Sequence, residues 1–156
     1  DAWFDYPLVN RLAAALPDVS FVLIGGSPQA HAKCAPAANL HLLGPRPFAR
    51  LPEYLQAANV GLIPFDVQHH PTLVHSIHPL KLYEYFAAGL PVVATRWREL
   101  ERLQSPARLC ESVEEFSAAI NASLCEPAGQ TSISVTRSSR LRPPTTTTPT
   151  PETTAP

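Results

Sequence analysis

Pro79-Leu80-Lys81-Leu82-Tyr83-Glu84-Tyr85-Phe86-Ala87-Ala88-Gly89-Leu90-Pro91-Val92-Val93-Ala94-Thr95 is the stretch that decides the fold. At 3.6 residues per turn, Leu82, Tyr85, Phe86 and Gly89 fall on one face, with Lys81, Glu84 and Ala88 on an adjacent one, so the first half reads as an amphipathic helix. Pro79 suits the first helical position. Gly89-Leu90-Pro91 stops the helix. Val92 to Thr95 then forms a short apolar run of strand length.

The same alternation extends in both directions. Strand-length apolar runs stand at Ser20–Gly25, Leu40–Gly44, Val60–Phe65, Pro91–Thr95 and Ala107–Cys110. Their near-continuous apolarity implies burial on both faces. Helical patterns cover roughly Pro7–Leu16, Ala49–Ala58, Pro79–Ala88, Arg98–Leu103 and Val113–Leu124. Strands alternating with helices predict a right-handed, doubly wound parallel sheet, α/β and Rossmann-like, with ligands at the C-terminal ends of the strands.

From about Ala128 onward aromatic residues cease, and five of the 18 prolines crowd the span from Pro143 to Pro156. Thr/Pro-rich sequence of this kind buries too little apolar surface to offset chain entropy. The expected organisation is a globular lobe over residues 1–127 and a disordered tail over residues 128–156. A mucin-like stalk is the other reading of such a tail, and it requires secretion.

With 12 Lys+Arg against 13 Asp+Glu in 156 residues, the chain has no basic footprint for a phosphate backbone, so nucleic acid is not expected as a partner. No apolar run approaches the roughly 20 residues of a membrane span, and no signal peptide opens the chain, which leads to a cytoplasmic expectation. Cys34, Cys110 and Cys125 have the wrong number and spacing for a disulfide framework and read as reduced, mostly buried thiols. Methionine is absent and the chain opens inside what reads as a helix, so a fragment is expected.

Three loops follow strands directly: Gly25-Gly26-Ser27-Pro28, Gly44-Pro45-Arg46-Pro47, and Asp66 to His78. Gly25 and Gly26 either allow close approach of a ligand to the backbone or simply end a strand. Neither a Gly-x-Gly-x-x-Gly nor a P-loop pattern is present. The third loop leads into the helix at Pro79, whose entrance offers free N–H groups to an anion, with Lys81 adding a positive charge. Glu84, one turn on, can accept hydrogen bonds from two adjacent hydroxyls, as ribose presents. Phosphate at Lys81 and ribose at Glu84 together describe a nucleoside diphosphate. The other reading makes Lys81 and Glu84 an i, i+3 surface ion pair. His69, His70, His75 and His78 lack metal-site spacing, and no metal is expected.

The Pro79–Thr95 stretch resembles the acidic helix and following Ala-x-Gly-x-Pro-Val-Val-Ala turn and strand of the two-lobed, GT-B type glycosyltransferases with paired Rossmann-like domains, in particular the glycosyl transferases group 1. Phe21–Gly25, Leu40–Gly44, Leu51–Leu55 and Ala57–Phe65 fall in that family's order. The resemblance covers residues 1 to about 125. It implies a single donor-binding lobe without its first strand, the N-terminal acceptor lobe being absent. It also implies that Glu84 binds the donor ribose, that Lys81 and the backbone at Ile77 and His78 face the diphosphate, and that the loop at Arg46 lies near the base. The family commonly has a second glutamate eight positions before the first, touching the sugar; here Ser76 stands in its place and can still hydrogen-bond a hydroxyl. The implied activity is transfer of a hexosyl group from a nucleotide sugar to an acceptor, without a cofactor or metal. A sugar-nucleotide epimerase lobe and a non-catalytic Rossmann-like interaction domain with a decayed nucleotide site are the alternatives.

Overall fold

The computed structural model describes residues 2–26 and 28–125. The tail expected over residues 128–156, like Ser27, lies outside them. The order is α1 (Tyr6–Ala15), β1 (Phe21–Ile24), α2 (Pro28–Lys33), β2 (Leu40–Gly44), a 3₁₀ turn (Phe48–Arg50), α3 (Leu51–Ala57), β3 (Gly61–Ile63), α4 (Pro71–Ser76), α5 (Leu80–Ala87), β4 (Val92–Thr95), α6 (Arg98–Arg102), β5 (Arg108–Cys110) and α7 (Val113–Cys125).

The chain opens ahead of a helix rather than within one. Phe4 forms an antiparallel bridge with Phe65, and α1 starts because the Asp5 carboxylate accepts the Leu8 N–H at 2.8 Å, an N-terminal cap. Leu8, Val9, Leu12 and Ala13 then form its buried stripe. The far end of α1 is held from a distance: the Asn39 amide donates to the carbonyls of Ala13, Leu16 and Val19 at 3.0, 3.0 and 2.9 Å. Carbonyls at a helix end otherwise lack partners.

The strands are parallel throughout, which gives the doubly wound α/β lobe its character, but hydrogen bonding divides them into two blocks. β1 pairs with β2, and β3, β4 and β5 pair in that order. Side chains of β4 alternate between two cores, as a strand requires. Val93 joins Leu8, Leu12, Phe21, Phe116 and Ile120, so α1 and α7 cover one face and bind the two blocks together. Val92 and Ala94 join Ile63, Val74, Leu82, Trp97 and Leu100, so α4, α5 and α6 cover the other face. Burying a side chain such as Phe116 stabilises by about 1.5–3 kcal/mol.

Three expectations need correcting. Burial on both faces holds for β4 but not for the first block: Val22 is 51% exposed and His41 is exposed, because the α4–α6 layer packs only on the second block. Pro79 is the residue before α5 rather than its first helical residue, with ψ 77. Of the thiols, which are all free, Cys110 is buried and Cys125 exposed. Burial, reinforced by the Glu115 charge, pushes the Cys110 thiol up to about 11. Among the described residues no helix is long and apolar enough to cross a membrane.

Candidate functional site

Gly25 and Gly44 end the paired strands β1 and β2 with positive φ, 152° and 69°, which glycine adopts without strain. The Gly25 N–H donates to the Gly44 carbonyl at 3.0 Å, fixing the two loops side by side. A Cβ at Gly26 would lie 3.8 Å from the Pro45 ring, so the glycine loop and the Arg46 loop are packed neighbours. Arg46 is oriented within this region by its guanidinium, which donates to the Tyr54 hydroxyl and to the Pro45 carbonyl, both at 3.1 Å.

A cavity of about 440 Å³ opens between the two strand blocks. Gly25 and Gly26 line it from the β1 side, and Lys81 and Tyr85 from α5, with Trp3, Phe4 and Phe65 among its aromatic lining. Lys81 and Tyr85 reach the same space because four residues along a helix return to one face. Tyr85 is packed so closely under β3 that a Cβ on Gly61 would lie 2.6 Å from its Cγ. Burial, with the Glu84 charge added, raises the Tyr85 hydroxyl above its ordinary value of 10.0.

Lys81 Nζ donates to Glu84 Oε2 at 2.9 Å, the i, i+3 pair that the spacing allowed, and both groups are solvent-accessible. Glu84 is thus held beside the cavity's cation without lining the cavity itself. The remaining positions are set apart. The Ser76 hydroxyl donates to the Leu73 carbonyl at 2.7 Å, turned back into α4. The Ile77 N–H caps α4 on the Val74 carbonyl at 3.1 Å, and its carbonyl accepts from Trp97 Nε1 at 3.4 Å. The His78 ring stacks on Tyr83, centroids 5.5 Å apart, with Nδ1 4.0 Å from Glu99. Ser76, Ile77 and His78 do not line the cavity. At the entrance to α5 the Leu80 and Leu82 amides donate to the His78 and Pro79 carbonyls, both at 2.9 Å, so the charge offered there is mainly that of Lys81.

Two carboxylates outside the expected site come together here: Asp66, in sequence the acidic neighbour of the histidine loop, and Asp5, which no motif marks. Asp66, directly after β3, accepts from the His69 backbone N–H at 3.0 Å and lies 2.9 Å from the His69 ring. Burial pushes its carboxyl up, but the His69 bonds and the charges of His69 and His70 outweigh this and hold it below 3.8. Asp5 is raised above 3.8, by burial first, against the Leu8 hydrogen bond, with the Asp66 charge adding to the rise. Proximity of Asp5 to Asp66 follows from the Phe4–Phe65 bridge, which no local sequence pattern announces. Among the described residues, no three His, Cys, Asp or Glu side chains gather as a metal-binding group.

The geometry therefore places a glycine-edged loop and a lysine on opposite sides of one opening at the C-terminal ends of parallel strands. The sequence pattern of the glycosyl transferases group 1 matches residues 6–126. TuaH of Bacillus subtilis (strain 168), named as a teichuronic acid biosynthesis glycosyltransferase, is 26% identical over 106 residues, covering 65% of this chain. The aligned part spans 26% of that relative's length. With the family pattern running through nearly all the described residues, from α1 to the end of α7, the chain belongs to the glycosyl transferases group 1.

Proposed function

We propose that this lobe binds the nucleoside diphosphate sugar donor of a two-lobed glycosyltransferase, which transfers a hexosyl group to an acceptor. The observation that carries the reading is the shared lining of one cavity by Gly25, Gly26 and Lys81. Backbone at a glycine turn can approach a pyrophosphate closely, and an ammonium opposite supplies charge. In the ligand-bound state the phosphates take Lys81 from Glu84, and the freed carboxylate accepts the two ribose hydroxyls. Arg46, on the loop beside Gly26, approaches the base. Lys81 then stabilises the negative charge that builds on the departing diphosphate, a role that needs no metal. The acceptor and the exclusion of water belong to a second lobe closing on this one.

Calorimetric titration of the 156-residue chain with UDP, GDP and ADP tests the reading. Saturable binding of at least one, weakened tenfold or more by Lys81→Ala, is expected. No heat with any of the three, from protein whose circular dichroism shows the α/β fold, overturns it.

A further inference from the structure

The end of α4 and the loop after it meet the start of α6 through three neighbouring contacts. The His75 ring, in the last turn of α4, accepts the Arg98 backbone N–H on Nδ1 at 3.2 Å. The Ile77 carbonyl accepts from Trp97 Nε1 at 3.4 Å, and His78 Nδ1 lies 4.0 Å from Glu99 Oε1. Behind them the buried Val74 packs with Trp97 and Leu100. The Trp97 ring in turn lies 5.1 Å from that of Phe65, part of the cavity's lining. This junction therefore seats the short loop that enters α5, the helix that brings Lys81 to the cavity.

The two histidines answer a proton in opposite ways. An imidazole nitrogen accepts a hydrogen bond only when it is bare, so His75 takes the Arg98 N–H only as the neutral ring with its proton on Nε2. Once protonated, His75 turns an N–H toward an N–H and the contact is lost. His78 gains from the same change, because only its charged form attracts the Glu99 carboxylate. Histidine ordinarily changes charge between about pH 5 and 8, and both rings are exposed to solvent. On the facing α6, Glu101 is taken by Arg96 at 3.0 Å, and Glu99 lies 3.9 Å from Arg102. The Lys81–Glu84 pair stands on α5, and His70 with the Asp66–His69 pair at the far end of α4. A proton on His75 thus adds a positive charge beside Arg98, while Glu99 remains for His78.

We propose that His75 is a positioning residue for the entrance of α5, and hence for Lys81. Neutral, it pins the end of α4 to α6. Protonated, it releases Arg98 and leaves the loop to the His78–Glu99 pair, with the Trp97–Ile77 bond between the two as the pivot. The effect on Lys81 as a ligand group rests on the donor-binding reading above, whereas the exchange of contacts at the junction does not depend on it.

Nitrogen-15 NMR of the 156-residue chain tests the junction without a ligand. At pH 8 His75 Nδ1 should be bare, and the Arg98 amide shift should move in step with protonation of the His75 ring as pH falls from 8 to 5. His75→Asn offers an oxygen close to the place of Nδ1 and does not titrate, so its Arg98 amide should stay put over the same range. In Glu99→Gln the acid form loses its anchor, and the Ile77 and Leu80 amides should exchange threefold or more faster than in the parent at pH 5. An Nδ1–H tautomer at pH 8, an Arg98 amide that ignores His75, one that moves equally in the Asn variant, or unchanged exchange in Glu99→Gln overturns the proposal. Between pH 8 and 5.5 the parent should lose threefold or more in UDP, GDP or ADP affinity relative to His75→Asn, a ratio from which titration of the nucleotide itself cancels. Equal pH profiles for a nucleotide that does bind overturn the positioning role. Absence of binding by both chains counts against the donor reading alone, and the Arg98 titration then decides. If the Asn variant does not fold, the tautomer and the Arg98 titration of the parent decide.

Discussion

The Lys81 ammonium and the Glu84 carboxylate, one turn apart on α5, hold each other at 2.9 Å in a solvent-accessible pair. Such a pair contributes about 0–1 kcal/mol, so a diphosphate can displace the carboxylate at little cost.

Glu84→Gln and Lys81→Ala should each therefore shift stability by less than about 1 kcal/mol while weakening nucleotide binding about tenfold or more. Thermal denaturation and calorimetry on the same samples separate the two effects. Unchanged affinity in both variants would reduce the pair to a surface contact and favour a decayed site.

Gly61→Ala should destabilise by about 1–3 kcal/mol, because the new methyl lands on the Tyr85 ring, 2.6 Å from Cγ, with β3 and α5 both fixed in the core. Urea denaturation measures this. The double variant Gly61→Ala with Tyr85→Leu should recover part of the loss, since the obstructing ring is gone.

Asn39→Ala should cost about 1–3 kcal/mol, the penalty for stripping a polar partner from the Ala13 and Leu16 carbonyls at the end of α1 and from the Val19 carbonyl in the turn that follows. Exchange of amides in the last turn of α1 should accelerate. An unchanged transition midpoint would mean that water replaces the amide fully.

Acid should act on Asp66 and Asp5 with opposite sign. Asp66 is held below its ordinary 3.8, so its stabilisation is present above that value and lost as pH falls through its folded pKa. Asp5 is raised above 3.8, so its contribution is fully present below 3.8 and lost as pH rises through its folded pKa. Thermal midpoints from about pH 2.5 to 6 should show less acid loss for Asp66→Asn than for the parent chain. Asp5→Asn, which can still cap α1, should steepen that loss by removing the opposing term.

How much of this was legible depended on whether local pattern carried the signal. The α5–β4 unit was readable because Leu82, Tyr85 and Phe86 recur at helical spacing and Gly89, with φ 74, stops the helix. The helices Pro28–Lys33 and Pro71–Ser76 were not recognised: the first buries no side chain and the second only Val74, so neither displays an apolar stripe. The exposure of Val22 was hidden because apolarity along a strand does not tell which block a helix layer will cover. In the site, Gly25, Gly26 and Lys81 were brought to one opening, as strand-end logic expects. Ser76 and Ile77 were drawn away by α4, whose existence turns their hydroxyl and amide inward.

The division of the strands has a mechanical consequence. Gly25 and Gly26 ride on one half of the sheet and Lys81 on the other, with α1 and α7 as the common backing plate. A ligand touching both sides acts as a rivet across the seam, and part of its binding free energy goes into stiffening the joint rather than into occupancy. For the proposed donor, tightness of grip is accordingly set by how firmly the two halves are braced before it arrives.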